Sequence, residues 1–494
     1  MSALSILFFQ LHKVDTVFMQ TSLLQHPNIL QTKQKLKLTA ARLVNNHVNL
    51  AVTGLSGSGK TAFITSLANQ LIEANEAAHL PFFSVVRESR LIGVKRDIQP
   101  NLSFSRFAYE DAMAKLTQTS PEWPASTKGI SQVRLKIKYK KSKGLSKYLT
   151  EDATLTLDIT DYPGEWLLDL PLLDMDYAQW SKHCQGELSD PIRHDLAAPF
   201  FSAVANLDLN AKGDELALQK VSELYTQYLI DCQSNGYQLL QPGRFILPGE
   251  LSGAPVLHFF PITDLQLEQQ GIDLNKPLKD SNVELLCQRF KHYKTEVVQP
   301  FYKDHFKGFD RQVVLVDCLS ALNRGFHSYQ DLQKALDWLM GSFQYGSSNI
   351  LNRLFQPKID KLVFAASKAD HITPDQQTNL VKLLESMLHS ARKQIQFDGV
   401  STESTAVSAI RASKSGLCQQ NGESIPVLQG RNEQGAAITL FPGDVPQSCP
   451  SPEFWKQQKF EFPKLSPPMM NTQHVLPHIR MDQVLDFLLA DKLI

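Results

Sequence analysis

Gly54-Leu55-Ser56-Gly57-Ser58-Gly59-Lys60-Thr61 stands between an apolar run, Val48-Asn49-Leu50-Ala51-Val52, and a helix-like run from Ala62 to Glu73. The octet fits G-x-x-x-x-G-K-[ST], and its flanks supply the strand–loop–helix context the pattern requires. The glycines let the backbone curl with its N–H groups pointing inward, and the helix opening at the loop adds the positive end of its dipole. A chain of this length matches the pattern by chance about 2 times in 100. A glycine-rich turn capping an ordinary helix is therefore the weaker reading. The expected phosphate cradle is Leu55, Ser56, Gly57, Ser58, Gly59, Lys60, Thr61 and Ala62. Within it Lys60 reaches the β- and γ-phosphates, and the Thr61 hydroxyl ligates Mg2+.

Working outward, Val133 to Lys140 alternates apolar and basic residues with period two, as a half-buried strand does. Thr154 to Ile159 reads as its hairpin partner, with Gly144 in the turn between them. The partner strand ends in Thr160-Asp161-Tyr162-Pro163-Gly164. This delivers Asp-x-x-Gly at a carboxyl end of the sheet, the edge at which α/β folds bind ligands. Asp161 is expected to hold Mg2+ through a water, and the Gly164 N–H to sense a γ-phosphate. Thr127 is the candidate for closing over the metal and the phosphate, with Ser126 and Ser131 as competitors. Glu165 occupies the position where small GTPases carry a water-orienting glutamine. A carboxylate beside a γ-phosphate is electrostatically awkward unless it serves as a base or turns outward. Lys60, Thr127, Gly164 and Glu165 form the candidate catalytic set. Arg87, Arg90, Arg96, Arg106 and Arg134 include candidate charge stabilisers, each more simply read as a surface residue.

Further on, the apolar run Leu362-Val363-Phe364-Ala365-Ala366 ends in Ser367-Lys368-Ala369-Asp370. This resembles the [NT]-K-x-D element of GTP-binding proteins. An aspartate there accepts hydrogen bonds from N1 and N2 of guanine, which adenine cannot offer, and a wrong base leaves the acceptor unpaired. The lysine stem packs along the base plane. Val407-Ser408-Ala409-Ile410 follows at the S-A-[KL] position, whose backbone N–H contacts the guanine carbonyl. The guanine set is thus Ser367, Lys368, Asp370, Ser408, Ala409 and Ile410. Ser367 departs from the preferred Asn or Thr and lacks the amide that braces neighbouring loops.

The 494 residues exceed one ordinary core, so two or three units are expected. Fifty basic residues balance fifty acidic ones, and no nucleic-acid partner is expected. The six cysteines are scattered without C-x-x-C, which fits reduced cytoplasmic thiols and no structural zinc. Leu4 to Phe9 is too short for a signal core, and no run reaches membrane-spanning length. Arg134, Lys136, Lys138 and Lys140, continued by Lys141, Lys143 and Lys147, form a basic face. Such a face either touches an anionic membrane or acidic partner, or is the solvated side of an edge strand.

The remaining pattern places a helix at Thr32–Asn46, an irregular, partly helical stretch with Trp123 between Pro121 and Pro124 at 81–126, and a helical and loop block at 166–308. Strands resume at Val313–Asp317, Leu362–Ala366 and Ser404–Val407, with helices near Asp331–Met340, 374–396 and Asp482–Leu493. Residues 416–468 read as loop-rich. Strands alternating with helices after a phosphate loop give an α/β fold, a Ras-like P-loop NTPase with a doubly wound, mostly parallel sheet. The expected organisation is a tail at 1–34, a first nucleotide-binding part at 35–165, a mainly helical insertion at 166–308 and a second part at 309–494.

In order, the phosphate loop, DYPGEW, SKAD and VSAI resemble the four nucleotide-contacting elements of a Ras-like GTPase. The chain is more closely similar to the YcjX-like family of bacterial P-loop proteins. That resemblance rests on the phosphate loop, Asp161 to Leu167, Pro242-Gly243-Arg244-Phe245 and the closing stretch His478–Leu493. It implies a cytoplasmic nucleotide-binding protein, described loosely as an ATPase, with links to envelope or phage-shock stress. Asp370 favours guanine over adenine. The expected activity is slow Mg2+-dependent hydrolysis of GTP to GDP in a nucleotide-controlled switch, with GTP/GDP as ligand and an unidentified protein effector or activator. The rivals are a P-loop ATPase or small-molecule kinase, and a guanine-nucleotide scaffold without turnover.

Overall fold

Val313, Val314, Leu315 and Val316 are all buried, yet they serve two different cores. Val313 and Leu315 join one, Val314 and Val316 the other. Leu50 and Val52 against Ala51, and Val363 and Ala365 against Phe364 and Ala366, divide in the same way. Side chains of a strand alternate between faces, so a strand covered on both sides reads as an unbroken apolar run. In the computed structural model these runs form the centre of one mixed, mostly parallel sheet. The described residues are 46–494 apart from 75–78, 100–103, 127–128, 143–150, 342–358, 390–392, 394, 396–398, 421, 458–459, 461–463 and 471–474.

The strands are β1 (His47–Gly54), β2 (Leu91–Asp97), β3 (Ser105–Arg106), β4 (Ser131–Lys140), β5 (Asp152–Asp161), β6 (Arg311–Val316), β7 (Lys361–Ala366) and β8 (Ser401–Ala406). Their order is β2-β4-β5-β1-β6-β7-β8, with β3 beside β4. β1, β6, β7 and β8 pair in parallel, and β4 pairs antiparallel with both β2 and β5. The helix Lys60–Ile72 and the closing helix Met481–Leu489 cover one face through Phe63, Ile64, Leu67, Val484, Leu485 and Leu488. Between β5 and β6 the chain is helical, with an aromatic-rich core continuous with the other face of the sheet. Trp180 stacks on Phe290 there at 5.0 Å between ring centroids.

The structure corrects several local expectations. The stretch 81–126 contains β2, whose half-exposed edge position and bulge between Leu91 and Gly93 blur its alternation. β4 is not an edge strand, because β2 lies beyond it. Its basic face is largely paired: Arg134 with Asp158 at 2.6 Å, Lys136 with Asp97 at 2.7 Å and Lys138 with Asp152 at 2.8 Å. The stretch 416–468 contains most of a three-stranded antiparallel sheet, β9 (Lys414–Gln420), β10 (Glu423–Arg431) and β11 (Ala437–Leu440), with β10 central. Its exposed polar residues and Pro426 in the middle strand argue against a sheet by ordinary rules. The expected helix at Thr32–Asn46, the apolar Leu4–Phe9 and the Gly144 turn lie essentially outside the described residues. No helix of the described residues is long and apolar enough to cross a membrane.

At the end of β6 away from the phosphate loop, the Arg311 side chain is fully buried and donates twice to Asp491, at 2.8 and 2.5 Å. Lys361 donates to the same carboxylate at 2.6 Å. Burial opposes ionisation of Asp491, but the two cations outweigh it and hold its pKa below the ordinary value. A depressed carboxyl pKa contributes stability that is present above the unfolded value and lost as pH falls through the folded one. D491N is therefore expected to be less stable at neutral pH by about 1–2 kcal/mol, the low part of the range for a charged hydrogen bond because of its partial exposure. Urea unfolding at several pH values should show the gap narrowing below about pH 4.

Candidate nucleotide-binding cleft

The helix Lys60–Ile72 begins at Gly59, whose φ of 85° is left-handed, and it has no side-chain cap and no acidic residue in its first turn. Side chains cap many of the other helices, among them Asp176, Asp190, Asp214, Thr263, Ser281 and Asp317. A helix start without a side-chain cap or an acidic first turn is suited to an anion. The loop is tightly drawn: Ser58 N donates to Leu55 O at 3.2 Å, and Lys60 Nζ to Gly54 O at 2.6 Å. A Cβ at Gly54 would lie 2.3 Å from Ser58 Oγ and 2.6 Å from Leu315 O, so only glycine fits.

Around this loop opens a cleft of about 660 Å³ at the carboxyl ends of the central strands. Ser56 to Phe63, Pro163, Glu165, Ser367, Lys368, Asp370, Ser408, Ala409 and Ile410 all line it. Four motifs spread along the chain from Gly54 to Ile410 therefore meet in one cavity. Leu55, Asp161 and Gly164 are buried beside it without lining it. Thr127 lies outside the described residues. Ser126 lines the cleft and Ser131 does not.

Gly164 approaches the phosphate loop so closely that a Cβ there would stand 2.3 Å from Gly54 O and 3.1 Å from Leu55 N. Glu165 is buried, and its Oε2 has no hydrogen-bond partner among the described residues. It has not turned out to solvent. A Cβ on Gly243 would sit 2.1 Å from Glu165 O, so the 242–245 segment lies against this loop in turn. Asp169 fastens the contact, accepting from Gly243 N at 2.8 Å and from the Tyr293 hydroxyl at 2.5 Å. Next to it the Arg244 guanidinium lies 3.2 Å from the centroid of the Trp166 ring, and burial lowers its pKa.

On the far side of the cleft, Asp370 Oδ2 accepts from Ala412 N at 2.8 Å, and Ser413 Oγ donates to Asp370 O at 2.5 Å. Ala369 N donates to Val407 O at 3.1 Å and joins the two loops. Ser408 gives both backbone groups to Ile479, whereas the Ala409 N–H has no backbone partner among the described residues. Lys368 adopts φ 61° and donates from Nζ to Asp317 Oδ2 at 2.5 Å. Burial opposes ionisation of Asp317, yet Lys368 and Ser320 hold its pKa below the ordinary value. His371, also in the cleft, is pushed below its ordinary pKa by burial.

The cleft also includes residues that the motifs do not reveal: Trp123, Pro124, Ala125, Gln233, Leu247, His371, Glu433, Lys464 and Leu465. For Trp123 the bracketing prolines were a signal of rigidity. For Gln233, Glu433 and Lys464 there was none. No arginine among the described residues lines the cleft. Arg90 pairs with Glu88, Arg96 and Arg106 with Glu110, and Arg134 with Asp158, while Arg87 is exposed.

The description of the YcjX-like family (DUF463) matches residues 48–493. The chain belongs to that family. It is 44% identical over 462 residues to a protein of Escherichia coli strain K12, covering 93% of this chain and 99% of that one. It is 46% identical over 475 residues to a protein of Shewanella oneidensis strain MR-1, covering 93% and 97%. Both relatives bear the name Ras-like GTPase YcjX. The family match spans all four motifs and the helical segment between β5 and β6.

Burial raises the Asp169 pKa to about 7, against the opposing pull of Tyr293, Gly243 N and Arg244. A carboxyl whose folded pKa lies above its unfolded value loses stability as pH rises between the two, here from about 4 to about 7. D169N keeps the shape and removes the titration. The difference in stability between D169N and the unaltered protein is expected to shift in favour of D169N across that window and stay level above it. Denaturant midpoints at pH 4, 5.5, 7 and 8.5 test this.

Proposed function

We propose that this protein binds guanine nucleotides and hydrolyses GTP to GDP with Mg2+, slowly, as a nucleotide-controlled switch. One observation carries the reading: Asp370, held by Ala412 N, faces the same cleft as the uncapped phosphate-loop helix. A backbone-anchored buried carboxylate is an acceptor set for paired N–H donors, which guanine has and adenine lacks. Oδ2 retains a second lone pair beside its bond to Ala412. The Ala409 N–H supplies a donor for the guanine carbonyl. The name shared by the two relatives points the same way.

Magnesium fits the donors on hand. Thr61 brings a hydroxyl and Asp161 a carboxylate, and this cation characteristically takes few protein ligands and leaves the rest to phosphate and water. When bound it would neutralise charge between the phosphates. The protein's own contribution is positioning. Lys60 exchanges its bond to Gly54 O for phosphate oxygens, and the Gly164 N–H meets the terminal phosphate at the point where Gly164 abuts Gly54. Glu165 is the proposed residue for orienting or deprotonating water, with Thr127 as the proposed closing hydroxyl. The absence of arginine among the described lining residues supports slow turnover and an activator that supplies the missing charge. Residues 166–308 act in this proposal as an inserted helical subdomain that reads the loop at 161–165. A cytoplasmic setting linked to envelope stress rests on the family resemblance alone.

Nucleotide-stripped protein titrated with GDP and ADP in Mg2+ is expected to bind GDP at least about tenfold tighter, a modest part of what an unpaired buried acceptor can discriminate. D370N should lose GDP and gain xanthosine diphosphate, since its carboxamide donates to the xanthine carbonyl. Equal ADP binding, untouched by D370N, would leave a phosphate-loop ATPase. E165A, which removes both the orienting and the basic group, is expected to slow single-turnover GTP hydrolysis by about 100-fold or more while leaving GDP affinity unchanged.

A further inference from the structure

The chain has five tryptophans, and Trp123 is placed unlike the rest. Trp166 meets Phe301 at 5.7 Å between ring centroids, Trp180 meets Phe290 at 5.0 Å, Trp338 meets His183 at 4.2 Å and Trp455 meets Tyr329 at 5.5 Å. Trp123 has no ring partner among the described residues, is 39% exposed and lines the nucleotide cleft.

Its position is nevertheless well defined. Pro124 confines the preceding residue to extended backbone. Glu122 N donates to Lys115 O at 2.9 Å, tying the loop to the helix Tyr109–Thr117. The indole Nε1–H donates to Leu465 O at 2.7 Å, across 342 residues of chain. Backbone and polar edge are thus fixed while the apolar faces of the ring lack an aromatic partner. An exposed indole is unfavourable in water, and its rigidity makes it a prepared surface for a flat partner.

Two contacts put this ring on the base side of the cleft. Leu116, in the last turn of the helix that anchors Glu122, packs with Ile410 of the guanine-side loop. Leu465 lies next to Gly430, where a Cβ would be 3.0 Å from Leu465 Cδ2 and 3.4 Å from Ala412 O. Ala412 is the residue whose N–H holds Asp370. We infer that the Trp123 indole is a wall against which the purine base packs. Its bond to Leu465 joins the 121–126 loop to the segment after β11 as a clasp that governs how fast nucleotide leaves. The inference rests on the guanine-nucleotide reading and adds a residue and a role to it.

Dissociation of a fluorescent GDP analogue from the full chain tests it, with pyrophosphate binding as the measure of an intact phosphate loop. W123A should release the analogue about tenfold faster or more, as expected for removing a base–aromatic contact, with pyrophosphate affinity unchanged. W123F keeps a ring but loses the Nε1 bond, and should fall between W123A and the unaltered protein. Release from W123A at the unaltered rate would overturn the proposal. So would equal loss of pyrophosphate and GDP, which would mark a general collapse of the cleft. If the unaltered protein binds pyrophosphate but not GDP, the guanine reading fails first and this inference falls with it.

Discussion

Three backbones meet without side chains between them beside the phosphate loop. Gly54 closes β1, Gly164 follows β5 and lies against it, and Gly243 lies in turn against Glu165. A single methyl at 164 or 243 would stand 2.3 or 2.1 Å from a carbonyl oxygen, a distance that forces the backbone apart. The phosphate loop, the acidic loop and the helical segment are therefore held in one stack, and displacement of any layer is felt by the next. Asp169 fixes the outer layer through two hydrogen bonds, and Arg244 over Trp166 closes its side.

That stack sits at the rim of a sheet whose strands carry opposite faces into two cores. One core seats the phosphate-loop helix and the closing helix; the other merges with the aromatic interior between β5 and β6. The cleft therefore has a floor of sheet and walls of loop. Its floor includes Leu315, and the strand ends Gly54, Val316 and Ala366 pair in the ladders beside it. Its walls come from the 121–126 loop and the residues after β11, joined through the Trp123–Leu465 hydrogen bond.

Much of the floor was legible in the sequence because its physics is local. Gly59 and Gly57 are in left-handed backbone, which the glycine pattern anticipates, and Val313 to Val316 is apolar throughout because both faces are covered. Asp370 was findable because it follows an apolar run that ends at the ligand edge, and Ser408 only by its order after the other motifs. The walls were not legible. Leu465 has no local signature for accepting from a tryptophan 342 positions earlier. β10 hides behind Pro426, and β2 behind a bulge and an exposed edge. The identity of Glu165 was plain, but its burial depends on Gly243, which belongs to a distant segment. The basic alternation of β4 revealed a strand and its hairpin partner β5, but not β2 on the other side, whose Asp97 compensates Lys136.

The uncapped start of the helix Lys60–Ile72 bears on how this protein's stability is to be read. Where helices such as Tyr177–Glu187 and Glu215–Ser234 open on an aspartate of their own, this one opens on a left-handed glycine without a side-chain cap. Any anion that settles there binds the folded chain and not the unfolded one. Apparent stability thus becomes a function of composition: at a free anion concentration of about 100 times its dissociation constant the gain is about 2.7 kcal/mol. A melting temperature in phosphate or sulfate buffer would then report occupancy of that first turn as well as the polypeptide.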